Sequence, residues 1–225
     1  MLGSFLRRCV RCLVVLCAAA FYAGHAAGQS PTQCPNSAAT RAPAFDVAAE
    51  QTQLEPTALE TPIWKTITVG GSKGVNAIRE AIETGPCHMT IADDADEILG
   101  RPAFPFIKTP VELDLAVLSV FELGFGGGTS LHDIYARAVA LGFELCPAEV
   151  GPALRLNYLD QPPGDSLHIA MKPVAKYSGA LIDFTVAKAY GSVGLLLLGG
   201  DADPDMMMPG ADRFVFVRPL LVPTR

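Results

Sequence analysis

Glu122, His132, Cys146, Glu149 and Arg155 bring a thiol, an imidazole, two carboxylates and a guanidinium into the middle of the chain. A cysteine thiolate near a helix N-terminus, with His132 or His168 as base, is an arrangement for nucleophilic catalysis. Pro147 can open a turn of helix that Gly151-Pro152 must end. The competing explanation is structural: Cys146 buried or disulfide-bonded, and Glu149 paired with Arg155. The five sit near the expected ends of strands and turns, where functional side chains often gather.

A second group is Asp201, Asp203 and Asp205, with Asp212 eleven residues after the first. Oxygen ligands at positions one, three, five and twelve are what a calcium loop supplies. Met206 stands where that loop needs glycine, and Pro204 stiffens it. A polar hairpin loop accounts for the same residues. The turn Gly124-Phe125-Gly126-Gly127-Gly128 precedes a helix whose N–H groups could hold an anion. It has Thr129 at the third glycine of a dinucleotide fingerprint, so no cofactor is expected from it. His88, His132 and His168 show no metal spacing, and no nucleophile elbow or SxxK string is present. His168, between Leu167 and Ile169, reads as a solvated position on its strand.

The elements that must position these groups follow from periodicity. Ile63–Val69 reads as a strand, and Val75, Ile78, Ala81 and Ile82 as a helix stripe capped by Ser72 or Asn76 and stopped at Gly85-Pro86. Asp93–Leu99 reads as a short helix, Leu113–Leu123 as a buried strand, and Ser130 as the cap of a helix ended by Gly142. After that the period becomes two: Leu154, Leu156 and Tyr158; Leu167, Ile169 and Met171; Ile182, Phe184 and Val186; then Val193–Leu198 and Arg213–Val217. The expected fold is α+β, a single domain of two to three helices packed on a mainly antiparallel sheet.

Residues 1–28 carry Arg7, Arg8 and Arg11, the apolar run Val10–Tyr22 and the small residues Ala26, Ala27 and Gly28. That is the order of a secretory signal peptide, and it places the remainder in the periplasm or outside the cell. Residues 29–62, rich in Pro, Ala, Ser and Thr, read as a disordered tether, and residues 63–220 as the folded domain. Removal of the three arginines takes the net charge from −6 to −9. So acidic a chain has no electrostatic footprint for nucleic acid, and no second apolar run reaches membrane-spanning length. Cleavage also removes Cys9, Cys12 and Cys17, leaving Cys34, Cys87 and Cys146. One disulfide and one remaining thiol are expected, with Cys87–Cys146 the favoured bridge.

The strings Ile98–Phe104, Val111–Phe125, Asp133–Pro162, Ile169–Pro173 and Arg213–Pro219 resemble an uncharacterised family of small bacterial proteins. The resemblance spans Trp64–Pro219 and implies a shared fold, with no reaction or ligand attached. Two functions follow. One is an exported, non-catalytic binding or envelope-associated module with an unknown protein or small-molecule ligand. The other is an enzyme with its site near Glu122, His132, Cys146, Glu149 and Arg155. Convergence of these five side chains on one pocket would favour the enzyme, and scatter the module.

Overall fold

The computed structural model describes residues 56–191 and 194–219. The expected signal peptide and the tether up to residue 55 lie outside the described residues. Ten strands and four helices follow in the order β1 (Lys65–Val69), α1 (Val75–Glu83), β2 (Met89–Ile91), α2 (Asp93–Leu99), β3 (Val111–Ser119), β4 (Thr129–Ser130), α3 (Leu131–Ala140), α4 (Val150–Asn157), β5 (Ser166–Ile169), β6 (Val174–Ala175), β7 (Leu181–Lys188), β8 (Leu195–Asp201), β9 (Met207–Met208) and β10 (Arg213–Arg218).

Eight strands form one sheet in the order β1-β3-β10-β5-β7-β8-β2, with β6 added to β7; β4 and β9 form a separate pair. The α+β class is as expected. The sheet, however, is mixed: β10 runs parallel to β5, and β2 parallel to β8. Four helices are present among the described residues, against the two or three expected.

The extra helix is α4. Leu154, Leu156 and Tyr158 suggested a strand, and Gly151-Pro152 a helix end. Pro152 instead falls in the first turn of α4, where its missing N–H has no intrahelical partner to lose. A Cβ on Gly151 would lie 2.5 Å from Phe184 Cδ2, so the glycine lets α4 settle directly on β7.

Alternation along the strands separates two apolar layers. Val215 and Val217 of β10, Leu115 of β3 and Phe184 of β7 face the layer that holds α1, α2 and α4. Phe214, Phe216, Ala116 and Leu118 face the opposite layer, beneath Leu131, Ile134 and Ala138 of α3. Ser130 caps α3 as expected, its hydroxyl accepting from the Asp133 N–H at 3.1 Å. Helix α1 starts at Gly74 with no side-chain cap, so neither Ser72 nor Asn76 serves as one.

The packed chain begins before residue 63. Ala58 is buried, its N–H donates to Leu141 O at 2.9 Å, and Arg218 Nε donates to Ala58 O at 2.8 Å. The expected Cys87–Cys146 bridge does not form. Cys87 is disulfide-bonded, whereas Cys146 is free and buried beneath β10, its Sγ on Val215 O. The partner of Cys87 therefore lies outside the described residues.

Candidate functional site

The five residues singled out by type do not converge. Glu122 is exposed in the turn after β3, where its Oε2 accepts from the Ser119 N–H and hydroxyl, both at 2.7 Å. His132 is exposed in the first turn of α3. Cys146 is buried, its Sγ 3.3 Å from Val215 O, and burial alone pushes its thiol far above the ordinary range. A thiol so placed is not a thiolate nucleophile.

Arg155 is fully buried. Its Nη1 donates to Gln161 Oε1 at 2.7 Å and Ala187 O at 3.0 Å, and its Nη2 to Tyr158 O. These bonds stitch α4 to the backbone of β7 and to the turn beyond the helix. Burial lowers the guanidinium to about 10, which leaves it charged at neutral pH. The expected Glu149–Arg155 ion pair is absent, since Arg155 spends its donors on carbonyls and an amide. Glu149 instead accepts the Ile107 N–H at 2.8 Å through Oε2.

Glu149 does face a cavity. A cleft of about 210 Å³ opens between α1 and α4. Val69, Ile78, Ala81, Ala153 and Leu156 supply apolar wall, and Ser72 and Lys73 line the cleft from the β1–α1 loop. That loop turns through Gly70 at φ +87°, and a Cβ there would meet Thr109 O at 2.7 Å. Glu149 is 3 % exposed, and desolvation raises its carboxyl above the usual carboxylate range, opposed in part by the Ile107 N–H. Glu122 lines a different cavity, beside Glu60 and Trp64.

The aspartates of the suspected calcium loop turn to the backbone. Asp201 Oδ1 accepts the Asp203 N–H at 3.1 Å, and Asp203 Oδ1 the Asp205 N–H at 2.9 Å. Asp212 lies 3.9 Å from His168 Nε2. Among the described residues no group of three or more His, Cys, Asp or Glu side chains is placed to hold a metal ion.

Sequence reasoning missed a polar cluster on the α3 side of the sheet. Asp183 and Thr185 alternate with Ile182, Phe184 and Val186 along β7, and both are buried. Asp183 Oδ1 and Tyr135 Oη are sealed from water without a hydrogen bond of good geometry, although the two groups are close enough to couple. Burial, then the charge of Asp201, holds the Asp183 carboxyl well above its ordinary range, and burial does the same to the Tyr135 phenol. His168 is stacked on Phe214 with ring centroids 5.0 Å apart and meets Thr185 Oγ1 through Nδ1 at 3.2 Å. It is not the solvated residue its strand position suggested; burial lowers its pKa against the opposing pull of Asp212. An acid in the middle of an apolar strand was the available signal.

Comparison of the chain with family models, with curated proteins and with solved structures gave no match. Among the described residues no helix is long and apolar enough to cross a membrane.

Proposed function

We propose that this is a non-catalytic binding module of the periplasm or the extracellular space, and that the α1–α4 cleft is its ligand site. The observation that carries the reading is the scatter of the five chemically capable side chains. Cys146 and Arg155 are enclosed, His132 is exposed on α3, and Glu122 and Glu149 line separate cavities. Catalysis by a nucleophile, base and orienting group needs them within hydrogen-bond reach of one another. Binding needs less: a concave apolar surface and a few polar groups that fix orientation, and the cleft beside Glu149 supplies both. The secretory order of residues 1–28 and the acidic charge of the rest support the location.

Equilibrium dialysis of the protein against a small-molecule extract of cell envelopes, read by mass spectrometry, tests the function. A compound enriched with the protein and recovered unchanged is the expected result. A compound consumed in proportion to protein, with a new product formed, overturns the module reading in favour of an enzyme.

A further inference from the structure

The cleft's chemistry specifies more than a generic ligand. Its walls are largely aliphatic, and its volume of about 210 Å³ is enough for a short alkyl chain. One buried ionisable group is set into this surface. Glu149 is buried as a residue, and only Oε2 is used by the protein, on the Ile107 N–H. Its Oε1 accepts no protein hydrogen bond, yet it is not among the side-chain atoms sealed from water, which are on Arg101, Tyr135, Arg155 and Asp183. This free, unsealed acceptor belongs to a residue of the cleft wall.

Electrostatics choose the partner. Lys73 also lines the cleft, but it is exposed, where solvent screens its charge, whereas Glu149 is buried, and among the described residues no ion pair joins Glu149 to a cation. An anion drawn to Lys73 or to the start of α1 would have to lie beside the Glu149 carboxyl in an apolar wall, where like charges repel strongly. A cation meets the reverse situation. Resting on the binding reading above, we infer that the cleft takes a small aliphatic primary ammonium, its N–H groups on Glu149 Oε1 and its chain against Ile78, Ala81 and Leu156. A charge-assisted hydrogen bond fixes the head, and burial of the chain supplies most of the affinity.

The test is a methyl NMR titration of the full chain with n-butylammonium, 1-butanol and butyrate. Saturable shifts confined to Val69, Ile78 and Leu156 are expected, with butylammonium preferred over butanol by about tenfold. Because desolvation disfavours ionised Glu149, butylammonium binding tightens as pH rises through the raised range of this carboxyl, whereas butanol binding does not change with pH. Glu149→Gln should remove the ammonium preference and its pH dependence while leaving butanol binding in place. Ala81→Leu, which fills the cleft and leaves the acid intact, should abolish all binding. Equal affinity for butanol, or preference for butyrate, overturns the ammonium inference but leaves the cleft as a binding site. Absence of saturable shifts with all three probes overturns the inference and the assignment of the cleft together. The module reading itself falls only to turnover in the dialysis experiment.

Discussion

Arg155 and Gln161 hold each other in a layer that solvent does not reach: Nη1 of the arginine donates to Gln161 Oε1 at 2.7 Å, and Gln161 Nε2 donates onward to Val186 O at 3.0 Å. The pair converts a buried charge into four links between α4, its following turn and the central strands. Arg155→Met would strand the carbonyls of Tyr158 and Ala187 and the Gln161 amide, at a cost on the order of 3–5 kcal/mol. Urea unfolding measures it, and a loss below about 1 kcal/mol would show that the links are dispensable.

Asp183 makes the opposite demand. Burial, and then the charge of Asp201, disfavour its carboxylate, so its folded pKa lies above its unfolded one. The stability associated with such a group is intact below the ordinary carboxylate range and is lost as pH rises through the raised folded value. Asp183→Asn should therefore match the parent below the ordinary carboxylate range and become the more stable of the two as pH rises through the raised folded value. A stability difference that does not change with pH would remove Asp183 as its source.

Gly151→Ala places a methyl 2.5–2.7 Å from Cδ2, Cγ and Cβ of Phe184. Because Cβ belongs to the strand's own framework, rotation of the ring alone cannot relieve the contact. An overpacking cost of about 1–3 kcal/mol is expected as a lower unfolding temperature. An unchanged or higher value would mean that α4 can shift away from β7 freely.

The cysteines predict a labelling pattern. Cys146 should resist alkylation in the native protein and react only after unfolding, because it is buried and its thiolate is disfavoured. Cys87 should react only after reduction. If residues 1–28 are cleaved as a signal peptide, Cys34 is the cysteine left to bridge it, and non-reducing peptide mapping should then recover a Cys34–Cys87 peptide. A Cys87–Cys146 peptide would contradict the fold.

Truncation to Ile63 should no longer be neutral, as a tether up to residue 62 would require. It removes buried Ala58, the Ala58 N–H bond to Leu141 and the acceptors of Arg218 at Ala58 and Leu59. A loss of about 2–4 kcal/mol is expected by denaturant titration, and no change would make this contact a superficial one.

Local signals carried the parts of the fold that depend on neighbours in sequence. The run Asp93–Leu99 before Gly100 gave α2, and Ser130 with the stripe Leu131, Ile134 and Ala138 gave α3. Helix α4 was hidden because Gly151-Pro152 resembles a stop, and only contact with Phe184 explains why a glycine belongs there. Asp183 and Thr185 were hidden for a related reason. Period-two alternation separates two faces of a strand but does not say whether the polar face will also be covered. The parallel pairings of β10 with β5 and of β2 with β8 leave no local trace. Glu149 was legible as a capable residue, whereas its cleft required α1 and α4 to be brought together.

The position of β10 has a consequence for how the chain can fold. This strand is the last of the described strands yet lies inside the sheet, antiparallel to β3 and parallel to β5. Until Arg213–Arg218 is available, β1–β3 and β5–β7–β8 are two separate ladders with open edges facing each other. Joining them requires contacts across long stretches of chain, which are entropically costly and slow. Synthesis from the N-terminus delivers β10 after the other strands of this sheet, so β3 and β5 wait with unpaired edges until it arrives.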